Sequence, residues 1–216
     1  VLLRFLEEDP SVDDLVPWRI SIRGLVLVML GRGDEARALF AQERERRSEL
    51  GATLEEALSS CIEGQSLIAV ESYEEAERLL RHGCDRLDGM GEQGYLSTFV
   101  AHLGQALCAL GRLDEAVVAA TRSRELGSGD DIGTQMLWRQ VLASVLARQG
   151  NLEQAVSLAT EAVRLGEPTD ALDLRGDASL DLGEVLELAG QPEQAAAELE
   201  RALDLHERKG NLVMAA

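Results

Sequence analysis

Apolar positions in this chain recur at helical spacing, and one arrangement of them returns five times. Small residues stand at Gly24, Gly64, Gly104, Ala143 and Gly183, each followed three positions later by Leu27, Leu67, Leu107, Leu146 or Leu186. Twelve positions after each small residue comes an alanine: Ala36, Ala76, Ala116, Ala155 and Ala195. Four positions beyond the alanines stand Phe40, Leu80, Ala120, Ala159 and Leu199. Spacings of three and four put residues on one face of a helix, so each block predicts two helices joined by a short turn. The turns are Gly31-Arg-Gly-Asp-Glu, Glu71-Ser-Tyr-Glu-Glu, Gly111-Arg-Leu-Asp-Glu, Gly150-Asn-Leu-Glu-Gln and Gly190-Gln-Pro-Glu-Gln. Glycine ends a helix, and a carboxylate in the first turn of the next suits that helix's dipole.

The five alanines lie 40, 40, 39 and 40 residues apart. A small residue on the first helix lets the second approach closely, and the alanine fills the other side of the contact, where a larger group would overpack. Glycines at 51, 91, 127, 166 and 210 close the second helices. In the third and fourth units this glycine comes about one turn earlier, which predicts shorter second helices there. The expectation is ten antiparallel helices and no strand. Residues 1–15 are expected to form a partial leading helix and loop. One repeat domain follows over 16–216, with units near 16–51, 52–91, 92–127, 128–166 and 167–210.

Small-x2-large, a turn, then Ala-x3-large resembles the tetratricopeptide repeat. The resemblance implies an all-α, right-handed α-solenoid of about five helix pairs, with a period near 40 residues. The last third, including Leu137-Trp-Arg-Gln-Val-Leu, Arg175-Gly-Asp-Ala and Asp181-Leu-Gly-Glu-Val-Leu, resembles more closely the C-terminal repeats of large bacterial signalling proteins. Those are actinobacterial-type adenylate/guanylate cyclases fused to an AAA-type ATPase, and LuxR-type regulators. None of their cyclase or nucleotide-binding motifs lies in these residues. The resemblance therefore implies a regulatory module within a longer parent, not an activity of its own.

Composition sharpens this picture. Aromatic residues make up 3% of 216, against 45% hydrophobic, which suits an Ala/Leu/Glu-rich helical protein. A net charge of −18 argues against nucleic acid and anionic membranes as partners. Cys61, Cys84 and Cys108 have neither disulfide-framework nor zinc spacing and predict reduced, buried thiols in a cytoplasmic protein. The stretch 93–111 carries no formal charge, but its Gln, Ser, Thr and His residues mark a loop and core helix rather than a membrane span.

No phosphate loop, nucleophile elbow or metal-ligand spacing occurs, so the expectation is a non-enzyme with no cofactor or metal. Arg175-Gly176-Asp177 falls inside a predicted helix and is no adhesion motif. The run Glu43–Arg47 reads as a solvated face held by i,i+4 pairs. The first helices of the units are expected to line a groove. Its candidate binding residues are Trp18, Gln65, Gln105, Gln140, Ser144, Arg148, Asp177 and Glu184. The leading function is a scaffold that binds a partner protein, a peptide or the parent's own ATPase or cyclase core. The alternative is a small-ligand or peptide sensor of a transcription or cyclic-nucleotide regulator. Apolar residues at Leu2, Leu3, Phe5 and Leu6 and at 212–216 suggest self-association through the solenoid ends.

Overall fold

The computed structural model describes residues 18–216. Ten α-helices and no strand occur among them. They are α1 Trp18–Met29, α2 Gly33–Leu50, α3 Thr53–Ile68, α4 Tyr73–Gly89, α5 Gln93–Ala109, α6 Leu113–Leu126, α7 Ile132–Arg148, α8 Leu152–Gly166, α9 Leu172–Leu188 and α10 Pro192–Lys209. No helix among the described residues is long and apolar enough to cross a membrane. The second helices of units three and four, α6 and α8, have 14 and 15 residues, against 17 or 18 in α2, α4 and α10.

Each helix pair meets at the small residue. A Cβ on Gly24 would lie 2.4 Å from the Phe40 ring, one on Gly64 2.8 Å from Leu80 Cγ, and one on Gly183 2.7 Å from Leu199. In the third unit the partner is Ala120, and the space is taken instead from the next unit. A Cβ on Gly104 would meet Val141 Cγ1 of α7 at 3.1 Å and Ala119 Cβ of α6 at 3.4 Å. The alanines Ala36, Ala76, Ala116, Ala155 and Ala195 are all buried.

The intervening turns share one hydrogen-bond pattern. Gly111 N donates to Cys108 O at 3.0 Å and Arg112 N to Leu107 O at 2.9 Å, the two bonds of a Schellman ending. The residue at the bend has positive φ in every unit: Gly31, Gly111, Gly150 and Gly190, and in the second unit Glu71, at 57°. Glu71 thus occupies a left-handed conformation that costs an L side chain energy.

Packing explains the curvature. The odd-numbered helices touch their odd-numbered neighbours in sequence, α1 to α3 and on to α9, whereas the even-numbered helices have no such mutual contacts among the described residues. The odd row is therefore the inner, shorter layer, and the solenoid bends around it.

One expectation needs correction. Glu43 and Arg47 are not solvated; they are 1% and 6% exposed. Glu43 accepts from Arg47 Nε at 2.8 Å, from Ser21 Oγ at 2.9 Å and from Ser59 Oγ at 3.0 Å. The i,i+4 pair exists, but it sits at the junction of α1, α2 and α3, and burial there requires the added hydroxyl donors. In the 212–216 segment the Leu212 side chain stays 60% exposed while the backbone is tied down. Leu212 and Val213 donate to Met29 O, which folds the segment back against α1. The other predicted edge, Leu2 to Leu6, lies outside the described residues.

Two substitutions probe these features in opposite directions. Gly64→Ala is expected to destabilise by about 1–3 kcal/mol, despite alanine's better helix propensity, because the new methyl meets Leu80 together with the Ala76 carbonyl at 3.1 Å, and backbone cannot yield. Glu71→Gly is expected to stabilise by about 1 kcal/mol through relief of the left-handed strain. Urea denaturation of both variants checks the pair.

Candidate functional site

The inner row of helices curls around one cavity of about 320 Å³, and all five odd-numbered helices line it. The row one residue after each small position, Leu25, Gln65, Gln105, Ser144 and Glu184, lies entirely on its wall. Gln140 and Asp177 join that row, as does Arg148. Seven of the eight sequence-derived residues are therefore gathered in one place. The side chain of the eighth, Trp18, lies outside the described residues. The flanking positions differ. Cys61 and Ala101 are packed in the interior of the helix pairs, and Thr98 Oγ1 pairs with Thr134 Oγ1 at 2.8 Å. Trp138 is buried against Arg139, whose guanidinium carbon lies 4.0 Å from the indole centroid.

The wall also holds residues that the sequence did not single out: His102 and Asp181, two positions before Gly104 and Gly183, Glu71 and Tyr73 beside the second turn, Asp173, and Asn211 and Met214 beyond α10. Asp181 lies one turn beyond Asp177, which is the signal that would have found it.

Tetratricopeptide-repeat family models match residues 133–208 and 21–42. Among solved structures, the chain is similar to the nearly identical TPR-like repeats of a kinesin light chain from Podosopora anserina. They share 17% identity and a TM-score of 0.58, over 94% of this chain and 98% of that one. It is also similar to BtubC (BKLC) from P. vanneervenii, at 17% identity and TM-score 0.63, over 96% and 89% of the two chains. The fold is a tetratricopeptide-type solenoid. No curated protein matches the sequence.

The interior of this tetratricopeptide solenoid is acidic. Glu71, Asp173, Asp177, Asp181 and Glu184 line the cavity, with Arg148 as the one lining guanidinium among the described residues. Arg148 donates to the Cys108 carbonyl. Asp173 pairs with Lys209 at 3.2 Å. Asp181 accepts from Gln140 Nε2 at 2.8 Å. Burial pushes the Asp181 carboxyl up to about 7, helped by the charge of Glu184 and opposed by Gln140 and Arg148. Burial pushes Asp177 up to about 8, with Asp181 and Asp173 adding repulsion. The Asp177 side chain is 42% accessible within the cavity, so solvent there screens part of this effect. Glu184 is raised as well, by burial against the pull of Arg148.

Two buried histidines stand close to these carboxyls, His102 on the cavity wall and His206 behind it, and burial lowers both. Burial lowers His102 to about 4, and its Nδ1 shares a 2.8 Å hydrogen bond with Gln105 Oε1. His206, on α10, is 1% exposed and lowered by burial; its Nε2 lies 3.5 Å from Asp177 Oδ1. Gly176 is what admits this ring, since a Cβ there would lie 2.6 Å from His206 Cε1. The Arg175-Gly176-Asp177 tripeptide is thus a packing feature inside α9.

The raised carboxyls make stability depend on pH. Folding holds on Asp177 a proton that the unfolded chain releases above about pH 4. The stability this group contributes is greatest below that pH and is lost as pH rises through about 8. Asp177→Asn, which does not titrate, should therefore gain on the natural protein as pH rises from 5 to 9. Melting temperatures of the two proteins across that range test this; a constant difference would contradict it.

Proposed function

We propose that the chain is a non-catalytic binding module that receives a cationic group inside its ring, presented by a peptide or partner protein. The single observation that carries this reading is the cavity wall, on which five carboxylates face one guanidinium that is already bonded to a carbonyl. An anionic ligand would add to that repulsion, whereas an ammonium or guanidinium relieves it through charge-assisted hydrogen bonds. Gln65, Gln105 and Ser144 add uncharged polar groups suited to a peptide backbone.

The size of the cavity favours a second reading, a sensor of a small cationic molecule, because about 300 Å³ is the lower range of ligand pockets. Both readings agree with a regulatory role in a larger parent of the cyclase–ATPase or LuxR type, which the repeat sequence resembles. The readings separate by whether a free amine suffices or a peptide is needed. We further assign the protein no chemistry of its own, and ATP turnover by the purified chain would overturn that assignment.

Retention on arrays of Lys- and Arg-containing peptides, beside matched Asp- and Glu-containing ones, tests the charge rule. Basic peptides are expected to bind and acidic ones not. Asp181→Asn should weaken basic-peptide binding about tenfold or more, the scale of one hydrogen bond to a charged group. Affinity should rise with pH as Asp181 and Asp177 ionise near 7 and 8. Preference for acidic peptides, or an affinity unchanged by Asp181→Asn, would refute the assignment.

A further inference from the structure

Four of the carboxyls on the cavity wall stand in a row on α9. They are Asp173, Asp177, Asp181 and Glu184, separated by four, four and three residues. That spacing puts them on one side of the helix, with each step of four rising about 6 Å along its axis. The first of the row already holds an alkylammonium, because Lys209 Nζ lies 3.2 Å from Asp173 Oδ2. The last, Glu184, is exposed and feels the pull of Arg148. The two in the middle have no such partner. Among the described residues neither Lys nor Arg forms an ion pair with Asp177 or Asp181; Asp181 takes the Gln140 amide, and Asp177 faces His206.

His206 shows that this pair is incomplete. The ring is 1% exposed, neither of its nitrogens has a hydrogen-bond partner among the described residues, and its Nε2 points at Asp177 Oδ1 from 3.5 Å. Buried polar atoms without partners are uncommon and call for an explanation. A cation on the cavity side of Asp177 supplies one: it ionises the carboxyl, which can then accept the imidazole N–H from behind. Leu174 and Leu180, three residues to either side of Asp177, also line the cavity and offer methylene groups an apolar surface between the charges. An extended four-carbon chain holds nitrogens at its two ends about 6 Å apart by ordinary bond lengths, which is the rise from Asp177 to Asp181.

We propose that the cavity binds a short linear aliphatic diamine, with one ammonium on Asp177, the other on Asp181 and the methylene chain along Leu180. This assignment rests on the cationic reading above and narrows it to a free dication. Calorimetric titration of the protein with 1,4-diaminobutane, n-butylamine and 1,8-diaminooctane tests it, at low salt and above pH 8, where both carboxyls ionise. A net charge of −18 attracts any diamine, but only two carboxylates one helical turn apart distinguish diamines by length. The four-carbon diamine should bind about tenfold or more tightly than n-butylamine, the scale of one further hydrogen bond between charged groups. The eight-carbon diamine, whose nitrogens lie about 11 Å apart when extended, should lose most of that gain. Asp177→Asn and Asp181→Asn should each bring 1,4-diaminobutane down to the level of n-butylamine. Equal affinities for the two diamines, no gain over n-butylamine, or a gain that survives in both variants would overturn the diamine site. If n-butylamine or basic peptides still bind in that case, the cationic reading stands without it. If no amine and no basic peptide binds, both readings fall.

Discussion

The structure depends on how closely two helices can approach where one of them lacks a side chain. Gly24, Gly64 and Gly183 have no room for a further carbon, Gly104 has little, and in the fourth unit Ala143 holds the equivalent place, fully buried. Because the closest point recurs at the same height in each unit, all five pairs adopt comparable geometry and can stack. The third unit shows that the constraint is on space, not on a particular partner. Ala120 leaves room beside Gly104, and Val141 enters from the following unit. That substitution ties α5 to α7 as well as to α6, in the middle of the array.

From this pairing the acidic interior follows. The inner helices contact one another and the outer ones do not, so the chain bends until five inner faces look at one another. Side chains far apart in sequence, such as Gln65 and Glu184, then line one cavity. Carboxylates that would be ordinary on an outer face acquire raised proton affinities here, because each loses water and Asp177 and Asp181 also gain other cavity carboxylates as neighbours. The charge of the ring interior is thus a product of curvature as much as of composition.

Much of this was legible in the residues. The small positions set the helix pairs and the register, and the row following them does line the cavity from Leu25 to Glu184. What escaped was whatever depends on how far the bend goes. A helix face read from sequence is a line. A tightly curved array widens it, so His102 and Asp181, two positions before the small residue, come into view as well. Glu43 and Arg47 look like a solvated pair from spacing alone; only the hydroxyls of Ser21 and Ser59, from two other helices, make their burial tolerable. The fold-back of residues 211–214 depends on the accumulated rotation of all five units, which no local pattern encodes.

The bond between the first inner helix and the segment after the last has a further consequence for how the array holds together. In an open stack, each unit is stabilised only by its neighbours, and the end units fray independently. A link from Met29 to residues 212 and 213 makes the two ends neighbours. The intervening rigid units hold its partners at high effective concentration, so the link forms with little added loss of chain freedom. Melting of the first unit and of the last then become one event rather than two. A ligand that tightens this link would protect amide hydrogens in the first and last helix pairs together, even though these share no helix contact among the described residues.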